Sequence, residues 1–496
     1  MARAPTFFLL SGVSKDASVL SLVSRMKSVE SVSSQSAPSS PERATLRSGP
    51  RIRVLMLADS CNPDWVSLPA VAYKACRAIA DLADVVLVTN VRNQPAISRQ
   101  GCGRARVVYI DNESVAAPLY RLAKILRGGD SVAWTTNVAL LYPAYLAFEW
   151  RVWRRFRSRL AARAFDLVHR LTPMSPTIPS PIAKWSPVPF VLGPLNGGLS
   201  WPAAYRRELR REREHLSFFR RAFRLLPYHR STYARARLTL AAFQHTIDDL
   251  PASSRGSALH FPEVGIDSSI FYPPQKLRVD WRLTFLFAGR LVPYKCADVL
   301  IAAFARSPVL RQHRLVIVGD GPEKAELTRM AAAHGLSTCV EFAGWKNQME
   351  VAELMRSADI FAFPSIRELG AGVVIEAMAC GCVPVVVDYG GPSGLVDDAC
   401  GIRVSLGPKP ELVEGFTSAL EALASDRVRL RRLQSEGVMR AQASYSWEAK
   451  ARKTIEAYEW VLGRRSTVPR FGDEPTDVCS VADMRAPASG VPHELV

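Results

Sequence analysis

The sequence predicts an α/β protein made of two Rossmann-like, doubly wound parallel-sheet domains that face each other across a cleft. Three observations support this fold class. Short apolar runs alternate with longer segments of helical period, the alternation stops at a proline-bearing stretch over 261–275, and it then resumes. With 496 residues, 48% of them apolar, the chain has room for two or three domains that each bury a sizeable core.

The first cycle begins at Arg51, directly after a serine-rich stretch without apolar periodicity. Short runs rich in apolar residues, bounded by turn residues, are typical of strands buried on both faces of a parallel sheet. The runs of this kind are RIRVLMLA, DVVLVT, RVVYI, FDLVHRL, PFVLGP and LTLAA. The second cycle contributes TFLFAG, RLVIVG, VEFAG, DIFAFP and VPVVVD, at intervals of about 20 to 30 residues.

These patterns predict six segments. We expect a disordered serine-rich leader, an N-terminal domain, an interdomain linker, a C-terminal domain, a C-terminal helix and a flexible tail. Their expected bounds are 1–50, 51–265, 266–282, 283–445, 446–465 and 466–496. Ligands of open α/β sheets bind at the carboxyl ends of the strands, so the cleft between the two domains is the expected site.

Composition excludes several classes of protein. The nine cysteines are odd in number and scattered without a CxxC pair, which argues against a disulfide framework and a zinc site, and favours a reducing, cytoplasmic compartment. The longest apolar stretch, 138–148, is interrupted by Pro143 and is too short to span a bilayer. The N-terminus is also too weakly basic and apolar for a secretory signal.

The most informative segment is FPSIRELGAGVVIEAMACGCVPVVV, residues 363–387. It predicts a strand, a loop with Glu368, Gly370 and Gly372, and a helix with Glu376 in its second turn. Such a loop can approach a ligand closely, the helix N-terminus favours anionic oxygens, and the two carboxylates can accept from pairs of sugar hydroxyls. The alternative interpretation is a solvated Glu368 and a Glu376 that only favours the start of the helix.

A second segment, FLFAGRLVPYKCADVLIAAF over 285–304, places Arg290 directly after a strand and Lys295 before a helix. Both side chains can reach over the carboxyl edge of the sheet, where they would offset the charge that grows on a departing diphosphate. An Arg and a Lys at this spacing are also common as plain surface charges.

Four motifs occur in order along the second half of the chain: GRLVPYK, VGDGPE, FAGW and the Glu368-x7-Glu376 spacing followed by AMACGCVPVV. Together they resemble the donor-binding domain of GT-B glycosyltransferases of the large retaining family 4. The resemblance is strong over 283–445 and weaker over 51–282. It implies an acceptor domain first and a nucleotide-sugar donor domain second, a UDP- or GDP-sugar as donor substrate, no permanently bound cofactor and no metal. By this resemblance Arg290 and Lys295 hold the diphosphate, Glu376 the ribose and Glu368 the transferred sugar, with Gly370, Ala371 and Gly372 forming the donor loop.

The chain departs from the family pattern in three places. The usual Glu-Gly-x-Gly loop is Glu-Leu-Gly-Ala-Gly over 368–372, so its glycines are displaced by one position. The Gly-Gly loop expected after the first strand is replaced by ADSCNPDWVSLPAV, residues 58–71. Later, VGGxPE becomes YGGPSG, which lacks its glutamate. The choice of sugar and the wall near the acceptor therefore do not transfer from the family.

The first domain offers two candidates. His169 is expected at a strand end that faces the cleft, where the family often has a histidine near the sugar, and imidazole can steer the acceptor proton. A structural histidine bonded to the backbone is the alternative. Asn196, Gly197 and Gly198 follow another strand and are expected on the acceptor side, although tight-turn chemistry explains these glycines equally well.

The formal charge of +18 is concentrated in two runs. Residues 151–163 carry six arginines and no acid, and residues 206–237 carry eleven arginines. Both interleave arginine with apolar residues, which predicts a surface that binds anionic lipid; a solvated arginine-rich face is the alternative. No groove-reading module accompanies the charge, so nucleic acid is not expected as a partner.

Together these features predict a retaining, metal-independent glycosyltransferase whose acceptor is a polysaccharide, a glycolipid or another membrane-proximal molecule, with peripheral association at the cytoplasmic face of a membrane. Two alternatives remain open at this stage. One is a nucleotide-sugar hydrolase or epimerase on the same fold. The other is a non-catalytic carbohydrate- or membrane-binding protein, because a fold by itself does not define an activity.

Overall fold

Two parallel sheets organise the computed structural model, which describes residues 50–127, 134–206, 208, 223–275 and 280–471. The first sheet has the strand order β3-β2-β1-β4-β5-β6-β7. Its strands are β1 Arg53–Ala58, β2 Asp84–Asn90, β3 Arg106–Ile110, β4 Leu167–Thr172, β5 Phe190–Leu195, β6 Ala236–Ala241 and β7 Ala258–His260.

The second sheet has the order β10-β9-β8-β11-β12-β13, again with all strands parallel. Its strands are β8 Thr284–Ala288, β9 Arg314–Val318, β10 Val340–Gly344, β11 Ile360–Phe363, β12 Val383–Val387 and β13 Ile402–Val404. Every residue of β8, β11 and β12 is buried, as expected for strands covered on both faces. The predicted fold class, two doubly wound parallel-sheet domains, is confirmed.

Helices connect the strands. Those of the first half are α1 Leu68–Leu82, α2 Gln94–Gln100, α3 Glu113–Arg127, α4 Trp134–Ala161, α5 Ile182–Trp185, α6 His229–Arg235, α7 Gln244–Asp249 and α8 Ala252–Arg255. Those of the second half are α9 Ala297–Arg306, α10 Lys324–Ala333, α11 Gln348–Arg356, α12 Gly372–Ala379, α13 Gly390–Leu395, α14 Lys409–Ser425, α15 Arg427–Arg440 and α16 Trp447–Val461. Among the described residues, no helix is both long and apolar enough to cross a bilayer.

The chain crosses between the two sheets twice, and the crossings lie side by side. The Ile266 amide donates to the Tyr445 carbonyl at 2.9 Å, and the Trp447 amide donates to the Ile266 carbonyl at 3.3 Å. Beyond this point Ser446 caps the N-terminus of α16, because its hydroxyl accepts from the Ala449 amide. The helix then packs on α1, so the end of the second half of the chain completes the first domain.

Candidate active site

The loop after β8 carries the two predicted phosphate-binding residues. A 3-10 turn over Pro293–Lys295 directs Lys295 back over the sheet edge, where its ammonium lies 4.8 Å from the Phe363 ring centre. Arg290 lies on the same loop, and its side chain is exposed. The loop is held against the loop after β9, because the Leu291 amide donates to the Asp320 carbonyl at 2.9 Å. This contact leaves no room for a side chain at Gly321, where a Cβ would lie 2.9 Å from the Leu291 carbonyl carbon.

The loop after β11 brings Glu368 to the same place. The Lys295 ammonium and the Glu368 carboxylate form an ion pair, in which the two side chains are only 12% and 15% exposed. The Ser365 hydroxyl also donates to Glu368 at 2.7 Å. Strands β8 and β11 are neighbours at the point where the strand order of the second sheet reverses, which is where doubly wound sheets bind ligands.

The helix that follows this loop positions the second carboxylate. Ala371 has a left-handed backbone, with φ 51°, and α12 starts at Gly372. Glu376 is half-buried one turn later, and its burial raises its pKa to about 7, although Lys74 and a hydrogen bond with Gln348 act in the opposite direction. Glu376 thus lies one turn beyond the N-terminus of α12, whose free N–H groups favour anions.

Two glycines of the YGGPSG segment, Gly390 and Gly391, pack against the backbone of the Glu368 loop. The Gly391 amide donates to the Glu368 carbonyl at 2.9 Å, and a Cβ on Gly391 would lie 2.9 Å from the Leu369 carbonyl carbon. The two glycines retained from the family pattern are therefore required by close backbone packing, and the missing glutamate of that pattern leaves this contact intact.

The segment after β5 forms the opposite wall. The Gly197 amide donates to the Thr246 hydroxyl at 3.2 Å, and Gly198 has φ 80° with Asp249 beside it. The Asn196 side-chain amide donates to the Glu263 carboxylate. The segment also contacts the second domain, where the Ser200 carbonyl accepts from the Tyr389 hydroxyl at 2.7 Å and Trp201 packs edge-on against Tyr294.

His169 does not face the cleft, and this expectation is wrong. It lies inside β4 and is 1% exposed. Because a carbonyl only accepts, Nε2–H donates to the Gly193 carbonyl at 2.7 Å, and Nδ1 accepts from the Tyr458 hydroxyl at 2.6 Å. Burial lowers the pKa of His169 to about 4, so the ring is neutral and both nitrogens are used. His169 is the third residue of β4, so it lies within the strand rather than at its end.

Three further residues lie near these loops and were not predicted as site residues. Glu263 follows β7 and contacts Asn196. Arg367 precedes Glu368 and lies 4.9 Å from the centre of the Trp201 ring. The ring of His245, after β6, stacks on Phe243 at 5.7 Å, and burial lowers its pKa to about 4. The sequence signals were weak: Arg367 lies in the segment 363–387 beside Glu368, and His245 and Glu263 follow shortly after strands β6 and β7.

Neither metal ligation nor disulfide bonding is seen in the part of the chain that the structure describes. No three His, Cys, Asp or Glu side chains there are placed to hold one metal ion. The eight cysteines within it are buried free thiols.

The basic run 151–163 lies in α4 and the turn after it. Phe156 and Leu160 of its apolar stripe are buried in the first domain, so the stripe packs on the core, and lipid binding by this run stays a prediction. The arginines between them are exposed, and Arg154 stacks on the half-exposed Trp150 at 4.8 Å. Of the run 206–237, residues 207 and 209–222 lie outside the described residues.

The fold and this site define a class. Two Rossmann-like domains face each other with a cationic and acidic cluster at the switch point of the second sheet, which is the GT-B architecture. Sucrose-phosphate synthase from Thermosynechococcus elongatus has the same fold, with a TM-score of 0.57 and 19% identity, covering 84% of this chain and 100% of that one. Anabaena HepE in complex with UDP gives a TM-score of 0.53 and 18% identity over 82% and 99% of the two chains.

Part of the second half of the chain also matches a known family. Residues 271–436 match the family Glycosyl transferases group 1. A D-inositol 3-phosphate glycosyltransferase of Stackebrandtia nassauensis is 32% identical over 228 residues, covering 42% of this chain and 49% of that protein. The Mycobacterium tuberculosis enzyme of the same name is 29% identical over 246 residues, covering 46% of this chain and 50% of that protein. The chain thus spans about half the length of these curated relatives.

Proposed function

We propose that this protein is a glycosyltransferase that moves a sugar from a UDP- or GDP-sugar to a polysaccharide, a glycolipid or another membrane-proximal acceptor, with retention and without a metal. The observation that carries the proposal is the Lys295–Glu368 ion pair at the switch point of the family-matched domain. A nucleotide diphosphate placed there meets Lys295 and Arg290, which offset the negative charge that develops on the leaving group.

The acidic residues have separate tasks in this mechanism. Glu376 accepts hydrogen bonds from the ribose hydroxyls, and Glu368 accepts from the hydroxyls of the transferred sugar. When the diphosphate binds, the Lys295 ammonium is shared between phosphate oxygens and Glu368, so the carboxylate is held in place for the sugar. The leaving phosphate helps to deprotonate the acceptor on the same face of the sugar, and His169, whose nitrogens are both engaged, takes no part in that transfer.

The acceptor enters from the opposite wall. Asn196, Gly197 and Gly198 lie across the cleft from the donor loop, and the segment after them continues to Trp201 against Tyr294. Contacts between this segment and the second domain bring the acceptor wall and the donor loop together. The acceptor hydroxyl is then held close to the sugar carbon, which lowers the entropic cost of the reaction.

The test is incubation with UDP-, GDP- and ADP-sugars, with and without lipid-linked acceptors, followed by measurement of nucleotide release and product. Acceptor-dependent transfer with the anomeric configuration retained supports the proposal. Nucleotide release without an acceptor, or inversion at C2, identifies the hydrolase or epimerase alternative. Binding without turnover identifies the non-catalytic alternative. The reaction is repeated with EDTA, and loss of transfer on chelation would contradict the metal-independent mechanism.

We also propose that the arginine-rich face of 151–163 binds anionic lipid. Its support is charge rather than amphipathicity, because Arg154, Arg155 and Arg157 are exposed while the apolar stripe is buried. A chain of aromatic contacts extends this face, from Trp153 to Trp185 at 5.9 Å and on to Tyr228 at 5.6 Å. Leu225, 87% exposed, lies beside it. Such a surface would hold the acceptor domain against a membrane that contains its acceptor.

A further inference from the structure

Glu263 is a carboxylate buried between the two domains. It follows β7, at the start of the first crossing, and is 3% exposed. Its Oε1 accepts from the Asn196 side-chain amide, and its Oε2 is buried without a hydrogen-bond partner among the described residues. Burial raises the pKa of Glu263, and the bond from Asn196 acts in the opposite direction. Burying a carboxylate in this way lowers the stability of the fold unless hydrogen bonds or a nearby charge compensate for its lost hydration.

The same oxygen lies where a side chain of residue 370 would be. A Cβ on Gly370 would collide with Oε1 of Glu263 and would lie 3.2 Å from both its carboxyl carbon and the Val264 side chain. The backbone of Gly370 is not left-handed, unlike that of Ala371, so its conformation does not require glycine. The contact with Glu263 therefore accounts for the glycine at 370.

A buried lysine holds the peptide next to Glu263. The Lys450 ammonium, on α16, donates to the Pro262 carbonyl and lies 4.3 Å from the Phe261 ring centre and 4.9 Å from that of Phe471. Burial lowers the pKa of Lys450 to about 7, while the charge of Glu263 raises it. The carboxylate is thus fixed by Asn196 on one side and through its neighbouring peptide by the terminal helix on the other.

We propose that Glu263 is a positioning residue for glycosyl transfer, which sets the conformation of the Glu368–Gly372 loop by filling the side-chain space of Gly370 and ties that loop to Asn196 on the acceptor wall. The proposal rests on the proposed function for its catalytic meaning. Its structural content, that Glu263 orders the donor loop, stands independently. Glu263 acts through Glu368 and does not itself contact the reacting atoms.

The experiment combines hydrogen exchange over residues 364–376 with donor kinetics in a double-mutant cycle. Glu263→Ala empties the space beside Gly370, so exchange in the loop should accelerate and kcat/KM for the donor should fall by about tenfold. Gly370→Ala should produce the same two effects by displacing the carboxylate. The double variant should recover most of both losses, because the new methyl group fills the space that the carboxylate left. Glu263→Gln keeps the volume and should exchange like the parent.

Gly437→Ala is the matched control, because a Cβ there has only ordinary contacts at 3.7 Å or more. It should change neither readout. Unaltered loop exchange in Glu263→Ala, or additive losses in the double variant, would overturn the proposal. If Glu263→Ala does not fold, Asn196→Ala, which releases the carboxylate, is compared with the parent in the same way. Failure of the parent to transfer any sugar would contradict the proposed function and leave the exchange result to decide the positioning role.

Discussion

Lys295 and Glu368 form an ion pair across two loops that are far apart in the chain and adjacent in the second sheet. The pair is largely shielded from solvent, so its attraction is stronger than that of an exposed pair. It also places a fixed positive charge at the carboxyl edge of the family-matched domain. Phosphate oxygens are the ligands that such a charge favours most.

Replacing Lys295 by Ala should lower kcat/KM by about 100- to 1000-fold, because the lost charge acts mainly on the developing diphosphate. Steady-state kinetics with the donor identified in the sugar panel measure this loss. Lys453→Ala is the control, since Lys453 pairs with Glu456 on the outer helix α16. An unchanged kcat/KM in Lys295→Ala would remove the residue from this role.

The raised pKa of Glu376 makes stability depend on pH. The folded protein keeps the proton up to about pH 7, whereas the unfolded chain releases it near 4.5. Between these values the folded state binds more protons, so the free energy of unfolding should fall as pH rises, by up to about 3 kcal/mol. Chemical denaturation at several pH values should show a smaller fall in Glu376→Gln. If the free energy of unfolding falls equally with pH in the parent and in Glu376→Gln, the raised pKa of Glu376 is contradicted.

Ala371 occupies a left-handed conformation that glycine adopts at lower cost. Ala371→Gly should therefore raise the free energy of unfolding by up to about 1 kcal/mol, after the greater entropy of the unfolded glycine chain is subtracted. Ala332→Gly, at an exposed position of α10, is the control and should lower it by about 1 kcal/mol. If both substitutions change the free energy of unfolding in the same direction, the backbone strain at Ala371 is refuted.

His169 should matter for stability rather than for chemistry. His169→Gln should lower the free energy of unfolding by about 1 to 3 kcal/mol, since the Tyr458 hydroxyl and Gly193 carbonyl lose a partner of the right shape. In the parent, stability should fall as pH drops from 6.5 to about 4, because only the unfolded state takes up the proton in that range. A large loss of turnover without loss of stability would restore a catalytic role.

Neutralising Arg154, Arg155 and Arg157 together should weaken binding to anionic vesicles, and the difference should shrink as salt is added. Sedimentation with phosphatidylserine-containing vesicles measures it. The matched control neutralises Arg429, Arg431 and Arg432, three exposed arginines on α15 in the other domain. Equal sedimentation of the two triple variants would assign any binding to net charge alone.

Much of the fold was accessible from sequence because buried parallel strands are short continuous apolar runs. β8, β11 and β12 lie within the predicted runs TFLFAG, DIFAFP and VPVVVD. Lys295 and Glu368 were each expected after a strand of the second sheet, but the ion pair between them was not predicted. His169 was misplaced because both faces of β4 are buried, so its pattern does not show which direction a side chain takes.

The sequence by itself determined the two-sheet architecture and the match of residues 271–436 to the family Glycosyl transferases group 1. These are local properties, set by apolar period and by motif spacing. Only the tertiary structure shows that α16 packs on the first domain, that the apolar stripe of α4 is buried in the core of that domain, and that Glu263 lies against Gly370. The physical reason is that each of these contacts joins residues distant in the chain, whose approach depends on how the whole set of helices and sheets packs.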